Sequence, residues 1–315
     1  MQNGTSPKPS GLTSTAKSFS KPYKNTASGK EDLENSPIRS VAESSGVTLR
    51  SRLVVAIVLI LVGVTFVSLG GLTYAAFISL LLAIAAWEYW RLFSQGGYFP
   101  SAVMLLGGTL VLAFSRFYWG FQYSDLLLAV LILLSMAAHI FTCQHGCTTA
   151  GMDFTITLTG ILYIGWMGSY LISLRFLPDG LWWVMLTIPT IAVGDAGAFF
   201  IGRTFGKTPL APRISPNKTR EGYLGGLLFS VVGGVLFALL WGLRSPLITP
   251  LHGLILGLAL GALTPLGDLG ESMLKRQFNI KDSGKLLAGH GGVLDRLDSW
   301  LWGAAIGYYL ILWLW

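Results

Sequence analysis

From Leu53 to the C-terminus the chain is a succession of apolar runs, each close to the roughly 20 helical residues needed to cross a ~30 Å hydrocarbon core. They fall near 53–69, 72–92, 102–119, 125–142, 155–175, 181–202, 223–243, 251–274 and 297–315. Inside lipid every backbone N–H and C=O must find its partner within the segment, so runs of this length are expected to be helices. The expectation is an all-α, polytopic integral membrane protein with about nine transmembrane helices. The third run is the weakest, because Ser115 and Arg116 interrupt it. Composition points the same way: only 12% of residues are charged, about half of what soluble domains carry. Gly253, Gly257 and Gly261 fall four apart. Such a small-residue stripe lets a neighbouring helix approach closely, and packing is the reading favoured for it.

Ahead of the first run, residues 1–50 are polar, rich in Ser, Thr, Lys, Gly and Pro, and without apolar period, so a disordered N-terminal tail is expected. It fits a transit peptide poorly, because Glu31, Asp32, Glu34 and Glu43 break the acid-poor pattern. Residues 51–315 form the transmembrane domain. Cys143 and Cys147 are too few for a disulfide framework and, with His145 between them, lack a second Cys/His pair for a metal site.

The net charge of +7 could suit nucleic acid, but in a chain this apolar it suits basic loops facing anionic lipid better. With the tail inside, Arg203, Lys207, Arg213, Lys218 and Arg220 fall in one cytoplasmic loop. Lys275, Arg276, Lys281, Lys285 and Arg296 fall in or beside the next. The opposite loops hold little beyond Arg116, Arg175 and Arg244. This asymmetry places two polar loops on the cytoplasmic face.

Most acids beyond the tail lie in the C-terminal half: Asp195, Glu221, Asp268, Glu271, Asp282, Asp295 and Asp298. A carboxylate at mid-bilayer costs ~2.5–3.5 kcal/mol on an insertion scale, so a group of them implies a wet, cation-holding recess at the membrane boundary. On a helix Asp268, Glu271 and Lys275 share one face, and Asp295 and Asp298 another. Carboxylates beside Lys and Arg suit a metal with phosphates, the acids holding Mg²⁺ and the bases the phosphate oxygens. A set of juxtamembrane salt bridges is the alternative. Glu88, just before Tyr89-Trp90-Arg91, is expected to pair locally with Arg91.

Three stretches carry a resemblance. One is Ser272-Met273-Leu274-Lys275-Arg276, then Lys281-Asp282, then His290-Gly291-Gly292-Val293-Leu294-Asp295-Arg296-Leu297-Asp298. The second runs from Asp195 through Gly202-Arg203 to Gly206-Lys207, and the third is Ser215-Pro216-Asn217-Lys218-Thr219-Arg220-Glu221-Gly222. Together they resemble the signatures of the phosphatidate cytidylyltransferase (CDP-diacylglycerol synthase) family over about 190–300. The family usually has Trp where Arg220 stands and Pro where Ala288 stands; neither position suits a metal ligand.

The resemblance implies transfer of the CMP moiety of CTP to phosphatidate, giving CDP-diacylglycerol and pyrophosphate. It implies Mg²⁺, with K⁺ as a monovalent companion. Asp268 and Asp295 would hold the metal, with Asp298 and Glu271 close by. Lys275, Arg276, His290 and Arg296 are the other catalytic candidates. Ser215, Lys218, Thr219, Glu221, Asp195, Lys281, Asp282, Gly291 and Gly292 are the substrate-binding ones. The glycine pair either lets backbone N–H groups approach phosphate or merely turns the chain into the last span. CTP, phosphatidate and the bilayer are the expected partners, with a homodimer as the assembly and no nucleic acid. The bacterial cytoplasmic membrane is the expected location, a plastid membrane the runner-up. Two other readings stay open: a CTP-using enzyme acting on an isoprenoid lipid, and an ion-carrying transporter. Against the transporter, the acids gather near one face and no internal repeat is evident.

Overall fold

Nine helical segments succeed one another among the described residues of the computed structural model, which are 49–278, 280, 283–284 and 291–314. They are α1 (Leu49–Leu69), α2 (Gly71–Gln95), α3 (Ala102–Trp119), α4 (Ser124–Gln144), α5 (Ala150–Arg175), α6 (Gly180–Phe205), α7 (Arg220–Gly242), α8 (Pro250–Gln277) and α9 (Leu294–Leu314). Each covers one of the expected runs. The tail 1–48 and the candidate residues Lys281, Asp282 and His290 lie outside the described residues.

Seven of the helices, α2 to α8, are long and apolar enough to cross a membrane, so the fold is that of an all-α polytopic membrane protein. The expected nine exceeds this by α1 and α9. In α9 the charges of Asp295, Arg296 and Asp298 dilute the first turns. An all-helical chain also omits one feature: β1 (Pro209–Ala211) and β2 (Ser215–Thr219) pair antiparallel in the polar α6–α7 connection, with Pro209 opposite Thr219 and Ala211 opposite Ser215. Thr219 then ends the hairpin and caps α7, its hydroxyl accepting from Gly222 N at 3.1 Å.

Two buried clusters organise the bundle. The first joins α2, α3 and α5, where Tyr74 Oη donates to Leu171 O (3.0 Å) and Tyr89 Oη to Ile156 O (3.2 Å). The second joins α6, α7 and α8 around Trp183, Leu186, Ala238, Leu256 and Leu260. Leu294, Leu297, Leu301 and Ala304 of α9 belong to the first and Ile311 to the second, so the last helix locks the halves together. The glycine stripe of α8 packs as expected. A Cβ on Gly257 would meet Ser230 O at 2.6 Å and Val231 Cα at 2.7 Å, and one on Gly261 would meet Leu227 Cα at 3.1 Å. That close approach sets α8 against α7 and brings the acids at its C-terminal end beside β2. Within α5, Ile161–Trp166 is a π-helical turn. Arg116, which weakened the third run, is buried. Its guanidinium lies over Phe121 (3.5 Å) and Trp166 (4.3 Å) and donates to Ser124 Oγ (2.7 Å) and Ser169 Oγ (3.1 Å).

Candidate active site

Where α6, the hairpin, α7, α8 and α9 meet, they enclose a cavity of about 980 Å³. Its charged lining is Asp195 and Arg203 from α6, Lys218 from β2, Asp268, Glu271 and Lys275 from α8, and Asp295, Arg296 and Asp298 from α9. Nine charged side chains from four elements thus share one recess, while small residues such as Gly194, Gly222, Gly226 and Gly261 line much of the rest. The α8 acids share a face by helical spacing, and α9 adds a second set from its first two turns.

Three of the acids stand against lysines. Lys218 Nζ lies 2.5 Å from Asp268 Oδ2, and Ser272 Oγ donates to Asp268 Oδ1 at 3.3 Å. Lys275 Nζ lies 2.6 Å from Asp295 Oδ1 and 3.4 Å from Glu271 Oε2. The second Lys275 contact is the longer of the two, and both Glu271 oxygens are buried. Asp298 is buried and accepts from Ser299 N at 2.6 Å.

The nearby loop candidates are mainly occupied in holding the chain. Asp295 accepts from Gly292 N (2.8 Å) and Ser283 N (3.1 Å) as well as from Lys275. The Gly292 N–H is therefore committed to Asp295, and Gly291 takes the left-handed conformation (φ +81°) that turns the chain into α9. Glu221 accepts from Lys207 N (3.1 Å) and Thr208 N (3.2 Å), pinning the base of the hairpin. Arg276 is exposed, outside the cavity lining, and its Nε donates to Ile214 O (3.3 Å) at the hairpin turn. Thr219 lines the cavity and Ser215 does not.

Glu88 departs from its expectation. It does not reach out to Arg91, which is exposed; it is 5% exposed, and its Oε2 accepts from Leu294 N (2.8 Å) and Ser283 Oγ (3.2 Å). A lone acid inside an apolar helix, with the cost that carries, is the signal that could have marked it. Asn217 and Tyr223 also line the cavity and were not singled out from the sequence.

Among the described residues no three Asp, Glu, His or Cys side chains close into a metal cage. The donor chemistry nevertheless fits a hard cation. Glu271 presents two buried oxygens, Asp268 and Asp298 line the same cavity, and ammonium groups already stand against Asp268, Glu271 and Asp295 as counter-cations.

A model of the cytidylyltransferase family matches residues 50–314. The phosphatidate cytidylyltransferase of Synechocystis is 32% identical over 289 residues, covering 83% of this chain and 96% of that protein. That of Staphylococcus haemolyticus is 33% identical over 260 residues, covering 80% and 95%. The Bacillus subtilis phosphatidate cytidylyltransferase reaches 41% over 186 residues, covering 59% of this chain and 66% of that protein. With a match running from α1 to the end of α9 and two of these relatives aligned over nearly their whole length, the chain belongs to the cytidylyltransferase family.

Proposed function

We infer that this protein transfers the cytidylyl group of CTP to phosphatidate, releasing pyrophosphate and leaving CDP-diacylglycerol in the membrane. The observation that carries the reading is the cavity in which five carboxylates and two lysines from α6, β2, α8 and α9 converge, in a chain whose relatives bear that name. A lipid phosphate is already anionic at neutral pH, so the reaction needs no Ser/His/Asp base. What it needs is relief of the repulsion between two anions. One lipid phosphate oxygen forms a bond to the α-phosphorus of CTP as the bond to the bridging β-phosphate oxygen breaks, and pyrophosphate leaves with that electron pair.

Catalysis is then positioning and charge neutralisation. Lys218 and Lys275, each bound to a carboxylate, have ammonium groups that can turn to phosphate oxygens. Arg203 and Arg296, on the same cavity, add two fixed positive charges. Asp268, Glu271 and Asp298 would hold Mg²⁺, with Asp295 beside them and K⁺ as a second cation. The metal, when bound, supplies charge neutralisation at the phosphates. Asp195 and Thr219 serve the substrate from the same cavity, while Glu221, Ser215 and Arg276 keep the hairpin in place. The proposed partners are CTP, phosphatidate, the bilayer and a second copy of the chain.

The reading is tested by giving purified protein in detergent labelled CTP, Mg²⁺ and either phosphatidate or a polyprenol. CDP-lipid with pyrophosphate from phosphatidate is the expected result. Lipid phosphate with CDP from the polyprenol would replace this reading with the isoprenoid one.

The charge asymmetry supports nine crossings with the tail and the site on the cytoplasmic side of a bacterial membrane. In a background lacking Cys143 and Cys147, cysteines at Asn217 and Gln277 are expected to react only with reagent on the cytoplasmic side. A cysteine at Leu247, between α7 and α8, should react only from the other side. Labelling of Asn217 and Gln277 from opposite faces would rule out a site composed of both loops.

A further inference from the structure

We propose that Glu88, on α2 in the N-terminal half, is a positioning residue that clamps the Asp295 turn in its working shape. This rests on the reading of the cavity as the reaction site. Glu88 Oε2 accepts from Leu294 N at 2.8 Å and from Ser283 Oγ at 3.2 Å. Leu294 is the first residue of α9, so the Glu88 carboxylate caps that helix from another element and sits at its positive end. Ser283 serves two carboxylates at once, giving its hydroxyl to Glu88 and its N–H to Asp295. Asp295 in turn holds Lys275. A continuous chain of hydrogen bonds thus runs from α2 to a lysine of the cavity.

The surrounding residues are shaped for this clamp. A Cβ on Gly292 would lie 2.8 Å from Glu88 Cδ, and one on Gly284 would lie at the same 2.8 Å from it. Both glycines let the chain close on the carboxyl group. A second tie runs alongside: Phe278, just past α8, meets Phe93 (ring centroids 5.2 Å apart) and Tyr98 (6.2 Å) edge to face at the end of α2. Among the described residues the hydrogen bonds of Glu88 lead to the cavity through this turn, so it acts on the reaction through Asp295 and Lys275.

Displacement of reacting groups by 1 Å can cost roughly 100-fold in rate. Glu88→Ala should free the turn without removing a charged cavity residue, so kcat is expected to fall about 10- to 30-fold, with KM for CTP changing less than about threefold. Glu88→Gln keeps an acceptor oxygen for Leu294 N and Ser283 Oγ and should stay within about threefold of wild type, because the clamp needs an acceptor. Leu82→Ala, in the core of the same helix, is the control: it should lower the melting temperature with kcat intact. Hydrogen–deuterium exchange supplies a readout independent of turnover. The peptide over 291–298 should exchange faster in Glu88→Ala and unchanged in Leu82→Ala. Unchanged exchange there, normal kcat in Glu88→Ala, or a Gln variant as poor as Ala would each overturn the clamp. If wild-type protein turns over neither phosphatidate nor polyprenol, the enzymatic reading falls and the exchange result alone decides the clamp.

Discussion

Asp268→Asn is expected to lower turnover at least ~100-fold, equivalent to about 2.7 kcal/mol of transition-state stabilisation, and raised Mg²⁺ should restore part of it. The substitution keeps the shape of the side chain and one acceptor oxygen while removing a negative charge from a cavity shared with Glu271 and Asp298. Asp268 binds only Lys218 and Ser272 across the described contacts and stays partly exposed, so it can exchange an ammonium for a metal ion without disturbing backbone. Asp295→Asn should lose comparable activity for a different reason. Its oxygens organise Gly292 N, Ser283 N and Lys275, so extra Mg²⁺ should restore little. Turnover against Mg²⁺ concentration, measured beside melting temperature, separates the two. If Asp268 served only a salt bridge, its variant would melt lower and show no metal-dependent defect. Near-normal turnover in stable Asp268→Asn protein would remove Asp268 from the metal site.

The contrast between these two aspartates shows what the sequence made legible. Helical spacing alone put Asp268, Glu271 and Lys275 on one face, and the loop charges put Lys218 on the same side of the membrane. It could not bring Lys218 to Asp268, 50 positions away, because that contact depends on an unanticipated hairpin. β1 is three residues long and β2 five, too short for period-two alternation to stand out in a polar loop. The helices were easier, since each must supply its own run of apolar residues whatever its neighbours do. Even Arg116 proved compatible with a helix, because the rings that shield it converge from the turn that follows (Phe121) and from α5 (Trp166 and Tyr170).

Glu88 is the clearest case of a nearby candidate partner misleading the reading. Arg91 stands three positions away and invites a local pair, whereas the partners that bury the carboxylate are 195 and 206 positions away. The glycines at 291 and 292 had two open readings, and the structure gives them different work. Gly291 supplies the left-handed turn, and Gly292 leaves room for a carboxyl group from another helix.

Lys275→Met should be as damaging as loss of Asp268, and should change how the protein responds to metal. Lys275 sits between Glu271 and Asp295 with its side chain 11% exposed, against 1% and 12% for the two acids. Removing one partner of a buried ion pair leaves the other charge uncompensated, at a cost of ~3–5 kcal/mol. Here two carboxylates lose their shared cation, and both Glu271 oxygens are buried. The melting temperature should therefore drop, and turnover should fall by ~100-fold or more as a phosphate-facing charge disappears. A divalent cation can replace the missing charge between the acids. Mg²⁺ should thus raise the melting temperature of Lys275→Met by more than it raises that of wild type, without restoring turnover. Lys275→Arg keeps the charge but must fit a planar guanidinium where a compact ammonium stood, so it should fall between wild type and Met on both measures. A Met variant with wild-type melting temperature and turnover would mean that the Glu271–Lys275–Asp295 triad neither supports the fold nor neutralises phosphate. Stability lost without any added response to Mg²⁺ would confine the triad to packing and move the metal to Asp268 and Asp298 alone.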